Sequence, residues 1–195
     1  MKRLFDIFFS LVALLLLLPF FLVVAILISL DSKGGVFFIQ TRVGRGGKDF
    51  GLYKFRSMVI DAEAKGQLTV GGRDPRVTKV GYVLRKYKLD ELPQFLNVLK
   101  GEMSVVGPRP EVRKYVSLYN PQQQKVLSVR PGLTDYASIE YANENELLAQ
   151  AADPEKEYIE TIMPAKLQLN LKYVEEMSVA TDLRIILKTI ARVFF

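Results

Sequence analysis

From Ile7 to Leu30 the chain is apolar except for Ser10, Pro19 and Ser29, and it carries no charge. At ~1.5 Å per residue such a run reaches across a ~30 Å hydrocarbon layer, so it predicts a membrane-embedded helix. A cleaved leader fits poorly, because its apolar part runs to roughly 7–15 residues and ends at a small-residue cleavage site. Lys2 and Arg3 precede the run, and Lys33, Arg42, Arg45 and Lys48 follow it. Basic residues on both flanks draw both ends to the cytoplasmic side. Pro19 removes one backbone donor near the middle, and its ring opposes the carbonyl of Leu15, which favours a bend there. Two readings follow: a re-entrant helix that enters and leaves by one face, and a kinked helix that crosses. The residues alone favour crossing, because kinked spans are tolerated in membranes.

Beyond this run the pattern changes to short alternating and helical periods. Val36–Gln40 and Phe50–Phe55 flank the turn-forming RVGRGG and predict a β-hairpin. Ser57 is placed to cap a short helix ending at Gly66, Gln67–Pro75 reads as a loop, and Thr78–Tyr87 as a second helix. Leu92, Phe95, Leu96 and Leu99 recur at helical spacing before Gly101, which predicts a helix starting at Asp90 or Glu91 with Pro93 in its first turn. Asn120-Pro121 and Asp153-Pro154 open further helices, which Pro131 and Pro164 are expected to end. Near the C-terminus Leu183, Ile186, Leu187, Ile190 and Phe194 share one face, with Arg184, Lys188 and Arg192 beside it. That pattern suits an anionic membrane surface and, equally, a core-packed helix. The expected fold is α+β and mostly helical, with a membrane segment and its flanks over 1–33 and a cytosolic body over 34–195.

The 195 residues include no histidine and no cysteine, which removes imidazole and thiolate chemistry, disulfides and thiolate metal sites. The formal net charge of +6 points to an anionic partner. A nucleophile or base must then come from carboxylate, lysine, tyrosine or hydroxyl, and Asp90-Glu91 is the best-placed pair. Two acidic residues at a helix start have a modest explanation, since they stabilise the helix dipole by roughly 0.3–1 kcal/mol. Their neighbours extend it: Arg85, Lys86 and Lys88 precede them and Arg109 follows in Gly107–Pro110, a set of cations able to hold phosphates. A carboxylate in such a setting can bind Mg²⁺ with a diphosphate, or attack phosphorus.

The runs Lys88–Gln94 (KLDELPQ), Asn97–Gly101 and Met103–Pro110 resemble the signature of the bacterial sugar transferases, the small monotopic phosphoglycosyl transferases. Phe37–Arg45, Tyr53–Met58 and Arg130–Thr134 resemble further family motifs in the same order. The resemblance implies transfer of a sugar 1-phosphate from a UDP-sugar to polyprenyl (undecaprenyl) phosphate, releasing UMP, as the first membrane step of glycoconjugate assembly. It implies Asp90 as the nucleophile and Mg²⁺ ligand and Glu91 as the residue that positions or activates the acceptor. Arg85, Arg109, Lys54 and Arg130 are implied as substrate-binding residues. It also favours the re-entrant topology, amphipathic helices on the membrane surface, and a location on the cytoplasmic face of the bacterial inner membrane. An acceptor phosphate with a second pKa of about 6 is largely ionised at neutral pH, which accounts for a site without histidine.

Two positions depart from the family pattern: Leu18 stands before Pro19 where serine is often found, and Asp135–Ser138 replaces a Gly-Trp-Ala type of sequence. The donor sugar and the oligomeric state are left open. The resemblance is to the small form, without additional membrane helices. A non-catalytic membrane-anchored basic protein is the main competing class, and a scaffold retaining the fold is another. Nucleic acid is not an expected partner, because Arg73, Arg76, Lys79, Arg85, Lys86 and Lys88 are not regularly interleaved with aromatics for base stacking.

Overall fold

The computed structural model describes residues 2–62 and 74–194. Helix α1 spans Lys2–Asp31 and continues through Pro19. Among the described residues it is the one helix long and apolar enough to cross a membrane, by length and composition. One stripe of it packs on the body from end to end. Asp6, Ser10, Val24 and Ile28 are buried, with Phe5, Phe9, Ala13, Leu14, Leu17, Phe20 and Phe21 partly covered. The opposite stripe, including Leu4, Phe8, Leu15, Leu16, Leu22, Ile26 and Leu30, is exposed.

Polar contacts fix both ends of α1 to the same body. Lys2 Nζ donates to Asp182 Oδ2 at 2.5 Å, to the Tyr173 hydroxyl and to the Val106 carbonyl. Asp6 accepts from Ser104 Oγ and from the Val105 N–H. At the other end Asp31 accepts from the Val80 N–H at 2.9 Å, and Arg56 donates to the carbonyls of Ser32 and Lys33, each at 2.7 Å. These bonds occupy carbonyls and charges that a helix end would otherwise leave unpaired.

Strands β1 (Phe37–Val43) and β2 (Asp49–Phe55) form the expected antiparallel hairpin around the Gly-rich turn. Helix α2 (Lys79–Lys86) is capped by Thr78, whose side chain accepts from the Gly81 N–H. The helix expected from Ser57 is absent over its described part. Instead Met58 bridges to Val77, Thr78 N–H donates to the Ser57 carbonyl, and Val59 N–H donates to that of Arg76. Pairing with the chain before α2 holds this segment extended. The rest of that expected helix, and most of the Gln67–Pro75 loop, lies outside the described residues.

Helix α3 runs Gln94–Lys100, starting later than expected, and Gly101 ends it in the left-handed conformation. Leu89–Glu91 forms a separate 3-10 turn, reached through Lys88 at φ 57°, ψ 20°. A non-glycine residue in that region is strained, and here it turns the chain so that Asp90 faces inward. Asn97 joins α3 to the hairpin: its Oδ1 accepts from the Tyr53 N–H, and its Nδ2 donates to the Gly51 carbonyl and to Glu102.

A second, unexpected sheet pairs β3 (Ser104–Val106) with β4 (Gly132–Thr134) in parallel. A Cβ on Gly132 would lie 2.1 Å from the Gly107 nitrogen, so this approach requires glycine. Helix α4 (Arg113–Val116) follows, then a 3-10 segment over Gln123–Ser128 and the helices α5 (Tyr136–Glu140) and α6 (Glu144–Gln150). Asn120 accepts from the Gln123 N–H at 2.9 Å, so its cap holds even though the segment is 3-10.

Pro164 does not end the helix opened by Asp153-Pro154. Helix α7 (Pro154–Glu157) passes through a π turn, Tyr158–Ile162, into α8 (Met163–Glu176). The wider turn shifts the register where Pro164 has no N–H to give, and so accommodates its ring within a continuing helix. Helix α9 (Val179–Phe194) buries Asp182 and Ile185. Of the apolar face expected there, Ile186 is buried while Leu183, Leu187 and Ile190 are exposed. The described chain is mostly helical, with one long apolar helix and two small sheets.

Candidate active site

Five of the sequence-derived site residues, Lys54, Arg85, Asp90, Glu91 and Arg109, line one cavity of about 520 Å³. Each arrives from a different construction. Strand β2 supplies Lys54, the last turns of α2 supply Arg85, and the strained Lys88 step supplies the dyad. Arg109 comes from the turn after β3, where its N–H donates to Asp135 Oδ2 at 3.0 Å. Asp135 also caps α5, accepting from the Ser138 N–H at 2.6 Å. One carboxylate therefore ties the Arg109 turn to α5.

The two acids differ sharply in their surroundings. Glu91 Oε2 accepts from Arg109 Nη1 at 2.9 Å, a second short bond joins Oε1 to Arg109 Nη2, and Lys54 Nζ reaches Oε1 at 3.2 Å. Burial alone would raise its pKa, but Arg109 and then Lys54 outweigh that and hold the carboxyl well below the usual range. Asp90 is 4% exposed and makes no hydrogen bond or ion pair among the described residues. Burial, and after it the charge of Glu91, push its pKa up, against the pull of Lys54, Arg85 and Lys88. Burial also lowers Lys54, although Glu91 opposes this. Neighbouring acids with displaced titrations are a common basis for divided roles.

The donor set fits a magnesium ion that arrives with its substrate. No group of three carboxylate-type ligands occurs among the described residues. Mg²⁺ commonly takes one or two carboxylates and completes its shell with substrate phosphates and water. Asp90 is a buried carboxylate of the cavity with no cation in ion-pair contact among the described residues.

Arg130 lies elsewhere. It does not line the cavity, and its Nε donates to the Gly101 carbonyl at 2.8 Å. Several lining residues escaped sequence reasoning as site residues. Arg42 is held by Gln40, the Pro110 carbonyl and Glu111, and Glu111 accepts in turn from the Tyr158 hydroxyl. Lys166 pairs with Glu144 at 2.5 Å. Ser138 and Asn170 also line the cavity. Arg42 falls within one of the motifs noted above. The others have no local signal, because distant elements bring them together.

The geometry describes a cleft whose cations could hold a phosphorylated ligand, with a buried carboxylate that makes no ion pair among the described residues. The sequence matches the bacterial sugar transferase family over residues 1–195, and the chain belongs to that family. It is 41% identical over 192 residues to the UDP-N-acetylgalactosamine-undecaprenyl-phosphate N-acetylgalactosaminephosphotransferase of Aeromonas hydrophila, covering 97% of this chain and 42% of that protein. It is 43% identical over 197 residues to the exopolysaccharide production protein PSS of Rhizobium leguminosarum bv. phaseoli, covering 97% of this chain and 93% of that one. With the UDP-glucose:undecaprenyl-phosphate glucose-1-phosphate transferase of Escherichia coli K12 it shares 37% identity over 202 residues, covering 100% of this chain and 40% of the relative. The chain thus spans about two fifths of the length of the Aeromonas and Escherichia relatives.

Proposed function

We propose that the protein transfers a sugar 1-phosphate from a UDP-sugar to undecaprenyl phosphate at the cytoplasmic face of the bacterial inner membrane. The supporting observation is the contrast within the dyad: Glu91 is committed to Arg109 and Lys54, while Asp90 lines the cavity without an ion pair among the described residues. An Asp90 oxygen attacks the β-phosphorus of the donor. The bond from that phosphorus to the bridging oxygen breaks, and UMP leaves as an anion. The phosphosugar is then carried on Asp90 as an acyl phosphate, until an acceptor phosphate oxygen attacks the same phosphorus and returns the carboxylate.

Both steps redistribute charge on phosphoryl oxygens, so positioning and electrostatics carry most of the catalysis. Lys54, Arg85 and Arg109 are the cations that meet the diphosphate. Glu91 fixes Lys54 and Arg109 in place. Asp90 would hold a magnesium ion, which would supply positive charge to the phosphate oxygens of the departing UMP.

The membrane reading rests on α1. Its exposed stripe is apolar along its length, yet both ends are fixed to one body, which suits a re-entrant helix. Leu183, Leu187 and Ile190 on α9, and Tyr82, Val83 and Tyr87 at α2, are further exposed apolar side chains. Arg184, Lys188 and Arg192 are placed to meet anionic headgroups.

The test is a UMP-release screen over a panel of UDP-sugars with undecaprenyl phosphate and Mg²⁺, comparing wild type with Asp90→Asn. Wild type should release UMP from at least one donor, and Asp90→Asn from none. Substantial turnover by Asp90→Asn would remove the nucleophile assignment. No turnover by wild type on any donor would remove the activity.

A further inference from the structure

Two buried polar atoms of the cavity lining have no hydrogen-bond partner among the described residues. Asn170 on α8 is 5% exposed, and its Oδ1 is buried without a hydrogen bond. The Ser138 hydroxyl in the first turn of α5 is likewise buried and unpaired, although its backbone N–H is held by Asp135. Both residues line the 520 Å³ cavity. A buried amide or hydroxyl without a partner costs on the order of 1–3 kcal/mol, so a folded chain that leaves two in one cavity lining points to an external partner. Both groups are neutral, and Lys166, one helical turn from Asn170, is already paired with Glu144, so these two atoms offer no charge to a phosphate. An amide and a hydroxyl each offer donor and acceptor capacity, which suits neutral hydroxyl or acetamido groups.

Position narrows the choice to one end of the donor. Ser138 is one carboxylate away from Arg109, since Asp135 binds the N–H groups of both. Asn170 also borders the small space against Pro108–Glu111, the turn that carries Arg109. Both are therefore near the diphosphate clamp. The sugar is bonded directly to the β-phosphate that Asp90 attacks, whereas the uracil lies beyond the α-phosphate and a ribose.

We propose that Asn170 and Ser138 form the sugar subsite, hydrogen-bonding the ring substituents of the transferred sugar and setting donor preference. The proposal rests on the activity argued above and adds to it the residues that read the sugar. In this arrangement the unpaired atoms are satisfied only in the donor complex, and the sugar's orientation fixes the β-phosphorus before Asp90.

The experiment compares Asn170→Leu and Ser138→Ala with wild type, all in lipid nanodiscs. The donors are UDP-glucose, UDP-galactose and their N-acetylamino counterparts, which differ at C2 and C4. UMP inhibition and thermal melting are measured alongside. Wild type identifies its preferred donors first; turnover of none of them defeats the activity itself and this proposal with it. With wild type active, each variant should lose about tenfold or more of the kcat/KM ratio between preferred and non-preferred donors. UMP inhibition should stay unchanged. The melting temperature should not fall, because neither side chain has a partner in the protein. Equal loss on every donor with weakened UMP inhibition would move these residues to the nucleotide and overturn the proposal. Unchanged donor ratios would overturn it too, whether or not the melting temperature falls, and would leave the amide bound to structural water.

Discussion

Glu91 and Asp90 are adjacent in sequence, yet they have opposite electrostatic settings. Glu91 has two cationic partners, and its side chain is only 14% exposed, so neutralising it would leave Arg109 and Lys54 facing each other across the cleft. This argues for a positioning role over that of a base for the acceptor, and the two roles separate experimentally. Glu91→Gln should slow the first half-reaction, read as single-turnover UMP release without acceptor, by about tenfold or more. It should also cost about 2 kcal/mol of stability, discounted from a fully buried pair because Arg109 is 33% exposed. Wild-type UMP release with only the acceptor-dependent step impaired would assign Glu91 to the acceptor instead. The cationic surroundings of the dyad were legible in sequence because Arg85, Lys86 and Lys88 lie within five residues of Asp90. The difference between the two acids was not, because Lys54 comes from a strand 37 positions away from Glu91. Asn97 makes the same point. It stood in a recognisable motif, but two of its three hydrogen bonds dock α3 on the hairpin and so set Lys54 against Glu91.

At the scale of elements, local signals worked where local chemistry decides. The helix read over Thr78–Tyr87 is α2, with Thr78 as its cap, and Gly101 closes α3 in the left-handed conformation that glycine favours. They failed where tertiary pairing decides. Ser57 gives its carbonyl to Thr78 rather than opening a helix, and three-residue strands such as β3 and β4 are too short for periodicity to register. Pro164 misled because a π turn changes the register at which a proline is tolerated. Helix α9 is the informative intermediate case. Its apolar residues form two faces, one burying Ile185 and Ile186 and one leaving Leu187 at 67% and Ile190 at 48% exposure. The absence of cysteine makes a direct test clean, since one introduced thiol carries the only label. An environment-sensitive fluorophore at Leu187→Cys should shift to the blue on reconstitution into anionic vesicles, while the same probe at exposed Glu175→Cys on α8 should not. Equal responses at both positions would place α9 away from the bilayer.

At the scale of the whole molecule, the constraint on topology comes from two sets of contacts that must exist together. Lys2 bonds with Asp182 and Tyr173, and Asp6 with Ser104 and Val105, at the start of α1; Asp31 bonds with Val80, and Arg56 with Ser32 and Lys33, at its end. A helix of 30 residues is ~45 Å long, enough to span a bilayer with some tilt. If it crossed, one end would lie in the opposite compartment from the body, and one of the two sets would have to be given up. Loss of the first set would take from Asp182, 1% exposed, its cationic partner Lys2, leaving it only the Tyr173 hydroxyl, and would strip Asp6 of Ser104 and Val105. Retaining both sets requires both ends on the side of the catalytic body, with the exposed apolar stripe entering only part of the bilayer. A cysteine placed ahead of Met1 and, separately, Lys33→Cys should therefore both react with a membrane-impermeant maleimide in inside-out vesicles, and neither in right-side-out vesicles. Labelling of the N-terminal thiol only in right-side-out vesicles would establish crossing. It would also require the Lys2 and Asp6 contacts to break in the membrane-bound protein.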